Sequence, residues 1–577
     1  MSYKVKIQDA YKQYTHDQDK IFPPEVTVRR FKEKLKSVDL DILESTVRID
    51  NGRLDIPIFF STCGRDAVDT IGTKKQMGKG GTPQQAEASA VMELAERFSF
   101  FSFSKNQDNF FTEEFRNLKN HALPFKYIAQ SVHDESSDLD QAKEFFSRLP
   151  LKWTWAYNLT RQEEVLIPFN WFYTINEFNG PSAGNCVEEA LVQGICEIVE
   201  RHTSSKISRE RLKTSAININ SITDPLCIEM IEKYKKEGIR LFITDFSLDT
   251  GIPNVGVLAY DPSTFPKNSE IVWTAGTAPD PQKALSRALT EVAQLAGDFN
   301  SRTNYVASGL PKFRNPEEAD FVMNTGSAID ISSLPNLASN NIKEEVERCI
   351  AALDRQNMDV ITVNTTHSKL EIPAFYTIVP GAYFRERAVC TSVSMFTAKL
   401  IAENGDLNWA ISRLKQMDKQ MHGKYYIKFY LGVSYFLLDE AKEGLRYLES
   451  AMDLGPKNED IPSIYSYMGQ CLTKLGQYNK ALDLLKKAEK YDDERIDIYN
   501  LMGFCYFKIK EHEEAIKCFK RVIQLQPDSA IDYANIASNF RDMGDQEKAI
   551  QYYQISLELD PTIEFAQENL KTLLGGA

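Results

Sequence analysis

The chain lacks several things, and each absence narrows what it can be. It has no excess of positive charge: 68 Lys and Arg stand against 81 Asp and Glu, a formal net charge of −13. Binding to nucleic acid or to an anionic membrane over a broad surface needs a basic patch, so neither partner is expected. No run of apolar residues approaches the roughly 18 needed to span a bilayer. The opening stretch MSYKVKIQDAYKQYTHDQDK is polar and has no apolar core, so it does not read as a secretory signal. No C-x-x-C pair occurs among the nine cysteines (63, 186, 196, 227, 349, 390, 471, 505, 518), so neither a zinc knuckle nor a redox dithiol is indicated. They read as small buried residues of a protein in a reducing cytoplasm. There is no G-x-x-x-x-G-K-[ST] phosphate loop either; GKGG at 78–81 does not continue as one.

What is present is enough apolar and aromatic residue, 42% and 11% of 577, for sizeable cores and more than one domain. The last third repeats. Gly469, Gly503 and Ala537 are spaced by 34 residues, as are Ala481, Ala515 and Ala549, and as are Pro527 and Pro561. A looser copy, YLGVSYFLLDEAKEGLRYLESAMDLGP, precedes them. The period resembles that of the tetratricopeptide repeat. Small residues let the two helices of each unit pack closely, and proline closes the unit because it cannot continue a helix. Such units stack into a superhelix with a concave face for a partner or a second subunit.

Residues 1 to about 405 differ. LDIPIFFSTCG, VLIPFNWFY, IRLFITDFS and NVGVLAYDP are rich in β-branched and aromatic residues between turn signals and predict strands. PQQAEASAVMELAERFSFFSF, CVEEALVQGICEIVERHTSSKI and PQKALSRALTEVAQLAGDF have helical apolar spacing. The reading is an α/β domain over 1–405 and an all-α repeat domain over 406–577, joined by a helix near AENGDLNWAISRLKQMDKQM.

Two of the helices carry the same ending, E-x-x-E-R. Glu93, Glu96 and Arg97 sit at i, i+3 and i+4, as do Glu197, Glu200 and Arg201. Alone, each is a solvated helical face with an internal ion pair. Yet Ala90, Val91, Leu94, Ala95 and Phe98 flank the first, and Ile195, Cys196, Ile198 and Val199 the second, so these helices belong inside a core. Buried carboxylates need partners, and one arginine per two glutamates leaves charge over. Facing one another, the four would demand cations. Carboxylate oxygens suit Mg2+, which in turn suggests a phosphate-bearing ligand.

GKGGTPQQAEASAVMELAERFS and SAGNCVEEALVQGICEIVERHT resemble the YcaO family, through S-x-x-x-E-x-x-E-R at 89–97 and the spaced Asn185, Glu189, Glu197, Glu200 and Arg201. ALSRALTEVAQ resembles the family's later R-x-x-x-E at Arg287 and Glu291, and DKIFPPEVTVRRFKEKL its opening lysine and hydroxyl residue, here Lys20 and Thr27. The resemblance spans about 15–405. It implies binding of ATP and Mg2+ without a phosphate loop, and activation of a peptide backbone amide by phosphorylation of its oxygen. An internal Cys, Ser or Thr then gives an azoline, an external sulfur source a thioamide. By the same resemblance Glu93, Glu96, Glu197 and Glu200 would hold Mg2+. Lys20, Thr27, Ser89, Arg97, Asn185, Glu189, Arg201, Arg287 and Glu291 would line the nucleotide site.

Each of these has a plainer reading: Asn185 and Thr27 as helix caps, Arg287 and Glu291 as a surface i, i+4 pair. His16 and His202 read as structural, and no general base is evident. The chain shows neither the leader-peptide grip nor the proline-rich tail of azoline-forming members. Its layout resembles the family's stand-alone type with repeats, linked to β-methylthiolation of a small-subunit ribosomal protein. The expected partners are therefore a peptide or protein, with a ribosomal protein among them, and a second copy of the chain in a homodimer. A nucleotide-binding docking scaffold acting through its repeats is the competing class.

Overall fold

In the computed structural model the described residues are 3–17, 19–50, 52–72, 75–118, 121–300, 310–384 and 391–575. Cys390 lies outside them. The chain forms two compact units, Met1–Val393 and Ser394–Ala577.

The first unit is α/β. Its strands are β1 (Leu43–Arg48), β2 (Ile58–Cys63), β3 (Gln76–Lys79), β4 (Phe111–Glu114), β5 (Pro150–Asn158), β6 (Glu163–Pro168), β7 (Pro181–Ala183), β8 (Ala216–Ile217), β9 (Arg240–Asp245), β10 (Asn254–Tyr260), β11 (Val272–Thr277), β12 (Ala328–Ile329), β13 (Ile361–Asn364) and β14 (Ala374–Ile378). Its helices are α1 (Pro24–Val38), α2 (Arg65–Ile71), α3 (Pro83–Lys105), α4 (Phe125–Ser131), α5 (Leu139–Ser147), α6 (Phe169–Asn176), α7 (Val187–Glu210), α8 (Pro225–Lys236), α9 (Pro281–Ala296), α10 (Asp320–Met323) and α11 (Ile342–Asp354).

The strands make three sheets, ordered β1-β2-β3, β11-β10-β9-β8-β12 and β4-β5-β13-β14-β7, with β6 pairing β5. Among the described residues these strands pair antiparallel except β8 with β12. Helix α3 packs on β2 and β3, α9 on β10 and β11, and α7 on β7 and β14. β10 is buried along its whole length. Val255, Val257 and Ala259 join the core beneath α8 and α9, while Leu258 and Tyr260 join Trp273 and Phe313 on the opposite face. A strand covered on both faces reads as a continuous apolar run, as NVGVLAY does.

Two glycines set the depth at which the site helices dock. A Cβ on Gly78 of β3 would lie 2.0 Å from the Ala90 nitrogen of α3. On Gly276 of β11 it would lie 2.3 Å from the Ala284 carbonyl oxygen of α9. Only a hydrogen fits at either place.

VLIPFNWFY is not one strand. β6 stops at Pro168, and Phe169–Asn176 continue as α6. Proline lacks the N–H that a ladder would need, and Phe169, Phe172 and Ile175 recur at helical spacing and are buried.

The second unit is helical: α12 (Val393–Ala402), α13 (Leu407–Gln420), α14 (Tyr425–Leu437), α15 (Ala441–Asp453), α16 (Ile461–Lys474), α17 (Tyr478–Tyr491), α18 (Ile496–Lys508), α19 (His512–Leu525), α20 (Ala530–Asp542), α21 (Gln546–Leu559) and α22 (Glu564–Gly575). The helix expected as a joint, α13, belongs to this unit. Each repeat is one hairpin, α16 with α17, α18 with α19, α20 with α21. Ala481, Ala515 and Ala549 are fully buried at the hairpin seams. No helix among the described residues is long and apolar enough to cross a membrane. Six of the eight described cysteines are buried.

Candidate nucleotide and metal site

One cavity of the first unit is lined by Lys20, Thr27, Ser89, Glu93, Glu96, Arg97, Asn185, Glu189, Glu197, Glu200, Arg201, Arg287 and Glu291. Every residue singled out in the sequence thus reaches the same space. Lys20 and Thr27 arrive from the N-terminal strap and α1, the E-x-x-E-R endings from α3 and α7, and Arg287 and Glu291 from α9.

The arginines do not close on their glutamates. Arg97 lies 3.8 Å from Glu93 and 3.5 Å from Glu96, and Arg201 lies 3.8 Å from Glu197 and 3.7 Å from Glu200. These separations exceed a charge-assisted hydrogen bond of about 2.7–2.9 Å. The Nε atoms of Arg201 and Arg287 are buried without any hydrogen-bond partner among the described residues. Such donors are costly to leave unmet and point to an acceptor supplied from outside the chain.

The carboxylates tell the same story. Burial raises the pKa of Glu93 and drives that of Glu96 well up, with Arg97 opposing the shift and Glu197 adding to it. A nearby cation would relieve both. The four glutamates share the cavity, but among the described residues no three acidic, His or Cys side chains converge on a point to form a ready cage. Each pair is turned toward its own arginine instead. Hard oxygen donors with unspent charge, beside guanidinium donors without acceptors, fit a Mg2+–phosphate group that completes both sets.

Three readings of single residues change. Asn185 does not cap α7: Cys186 stands at the cap, with no side-chain hydrogen bond. Asn185 instead donates from its backbone N–H (3.0 Å) and Nδ2 (2.9 Å) to Glu189. Thr27 does not cap α1; it is inside that helix, and its hydroxyl donates to Asn185 Oδ1 at 3.1 Å. Arg287 and Glu291 are not a surface pair: Arg287 donates to Gln193 Oε1 at 2.8 Å, and Glu291 pairs with Lys79. Glu189 is 1% exposed, and its two oxygens are taken up by Asn185 and by the Ile21 N–H at 2.7 Å, with the Lys20 ammonium 4.0 Å away. It holds the strap. His202 is buried and accepts from the Tyr383 N–H at 3.1 Å, consistent with a structural histidine.

Lys79, Gln85 and Gln193 line the cavity and were missed. Gln193 was legible: it lies one turn after Glu189 and one turn before Glu197. Lys79 lay in GKGG, which was weighed only as a phosphate loop. Its ammonium, pressed by burial and by Arg287, has its pKa pulled down to about 7.

The sequence model of a family described as YcaO cyclodehydratase, ATP- and Mg2+-binding, matches residues 77–383, more than half of the chain. The chain belongs to the YcaO family. An uncharacterized protein of Methanothermobacter thermautotrophicus is 26% identical over 390 residues, covering 62% of this chain and 93% of its own. The ribosomal protein S12 methylthiotransferase accessory factor YcaO of Escherichia coli is 29% identical over 243 residues, 38% of this chain and 39% of that protein. Among solved structures, YcaO from Methanopyrus kandleri bound with AMPPCP and Mg2+ superposes with a TM-score of 0.50 at 21% identity, over 65% of this chain and 94% of that one. That likeness shows the fold. In the second unit, residues 494–562 match the tetratricopeptide repeat and 453–522 match subunit 3 of the anaphase-promoting complex.

Proposed function

We propose that this YcaO protein uses Mg2+ and ATP to activate a backbone amide of a peptide or protein by phosphorylating its oxygen, so that a nucleophile can add to the amide carbon and phosphate can leave. The observation that carries this reading is the meeting of two E-x-x-E-R helix ends in one cavity with their arginines held off their glutamates. When bound, magnesium–ATP would supply the phosphoryl group and the charge neutralisation its transfer needs. Glu93, Glu96, Glu197 and Glu200 would hold the metal. Arg97, Arg201 and Arg287 would donate to phosphate oxygens. Ser89, Asn185 and Thr27 would orient the ligand, Glu189 would fix the strap that carries Lys20, and Glu291 would line the nucleotide site beside Lys79.

The product is an azoline or a thioamide, or the activation assists β-methylthiolation of a ribosomal protein; the Escherichia coli relative is named a ribosomal protein S12 methylthiotransferase accessory factor. The repeats would bring a protein partner or a second copy. The nucleotide-handling part is taken to end by residue 405, and a chain ending there would be monomeric by light scattering if the repeats make the homodimer; an unchanged oligomer removes that assignment.

The test is calorimetric titration with AMPPCP and Mg2+ of the wild type, Glu93→Gln and Glu197→Gln. Metal-dependent binding lost in both variants supports one joint site. Equal or absent binding in all three overturns it and leaves a docking scaffold acting through its repeats. A substrate amide labelled with 18O would then deliver the label to phosphate.

A further inference from the structure

The GKGG segment is no phosphate loop, yet the fold gives it a definite position. Gly78 and Gly80 turn toward α3, where a Cβ would meet the Ala90 nitrogen at 2.0 Å and Gln85 Cγ at 2.3 Å. Side chains alternate along a strand, so the same contact that presses β3 onto α3 turns Met77 and Lys79 to the other face, into the cavity. There Lys79 forms an ion pair with Glu291 of α9. Glu93 and Glu200 attract its ammonium, and Arg287 and Arg201 repel it.

The formal charges lining the cavity are nearly balanced. Glu93, Glu96, Glu189, Glu197, Glu200 and Glu291 face Lys20, Lys79, Arg97, Arg201 and Arg287, one negative charge in excess. Lys79 closes an ion pair where Arg97 and Arg201 stand off their glutamates. It is also a point charge on a flexible stem, able to change partners where a planar guanidinium is set by its fork. Each Mg2+ entering adds two positive charges and makes Lys79 surplus among the carboxylates.

We propose that Lys79 is the resident counter-cation of the site: it neutralises the carboxylates before metal arrives, and passes to a nucleotide phosphate when metal and nucleotide bind. This rests on the nucleotide-site reading above. It makes Lys79 a competitor of the metal in the absence of nucleotide and a helper of the nucleotide in its presence, two opposite effects from one side chain. A residue that merely supported the fold would shift both in the same direction.

The experiment uses the full chain: wild type, Lys79→Met and Lys79→Arg. Mn2+ binding without nucleotide is followed by electron paramagnetic resonance of the free ion, and AMPPCP binding at saturating Mn2+ by calorimetry. Lys79→Met is expected to bind Mn2+ alone about tenfold more tightly and AMPPCP about tenfold more weakly, each a change of about 1.4 kcal/mol. Lys79→Arg keeps the charge but not the mobile point-like head, and is expected to recover AMPPCP binding only in part. Should Lys79→Met fail to fold, Lys79→Gln, whose amide can still meet Glu291, reads the loss of charge alone. Unchanged affinities, or both weakened together, overturn the assignment to Lys79. A wild type that binds neither Mn2+ nor AMPPCP overturns the nucleotide site itself, a different failure.

Discussion

Glu189 of α7 accepts a hydrogen bond from the backbone N–H of Ile21 at 2.7 Å, joining residues 168 positions apart in the chain. Its second oxygen takes both Asn185 donors. A buried carboxylate therefore anchors the strap at Ile21, next to Lys20, while Thr82 holds Asp17 and Lys283 holds the Thr15 and His16 carbonyls further up the chain. Hydrogen bonds to a charged group contribute about 1.5–3 kcal/mol. Glu189→Gln should loosen the strap, raise amide hydrogen exchange around residues 19–22 and weaken AMPPCP binding about tenfold. Unchanged exchange there would refute the latch.

Metal removal offers a second check. With Glu93 and Glu96 strained by burial and the Arg201 and Arg287 Nε atoms unbonded, the site needs cation and phosphate together. EDTA should abolish AMPPCP binding, and Mg2+ with AMPPCP should raise the melting temperature where either alone does little. Binding in EDTA equal to that in Mg2+ would contradict the arrangement.

Gly78→Ala tests the docking of β3. The new methyl would overlap α3 backbone at 2.0 Å from the Ala90 nitrogen and 2.2 Å from the Ala86 oxygen, with no flexible side chain to give way. Overpacking costs about 1–3 kcal/mol. The variant should melt lower and, where still folded, bind AMPPCP more weakly because Lys79 is displaced. A wild-type melting curve would show that β3 can shift freely.

A fourth prediction concerns acid stability away from the site. Asp359 is 2% exposed at its side chain and accepts from Arg161 (Nη2 at 2.7 Å, Nε at 3.0 Å), Asn158 Nδ2 at 2.9 Å and Tyr127 Oη at 2.6 Å. Burial alone would raise its pKa, but these partners hold it below the ordinary carboxylate value. A depressed folded pKa contributes stability that is present above the unfolded value, about 3.9, and is lost as pH falls through the folded one. Asp359→Asn should therefore cost about 2–3 kcal/mol at neutral pH by urea unfolding, with the gap to wild type narrowing below about pH 4. A gap independent of pH would rule out the ionised carboxylate as its source.

The sequence by itself determined the repeats, the two E-x-x-E-R helices and two strands of the five-stranded sheet, β9 and β10, because all three rest on local pattern. A 34-residue spacing, a 3.6-residue face and a continuous apolar run each follow from covalent order. VLIPFNWFY was misread where two periods meet at Pro168, since strand and helix both accept aromatic residues there.

What only the tertiary structure decided is which charges meet. Glu291 could have paired with Arg287 one turn away, and it pairs instead with Lys79, brought across by a strand that glycines let lie against α3. Asn185 and Thr27 could each have capped a helix, and they bond to Glu189 and to one another. The gap between each arginine and its glutamates is likewise invisible in spacing. Such partners are set by the packing of α1, α3, α7 and α9 around one cavity, and through-space electrostatics there outweighs proximity along the chain.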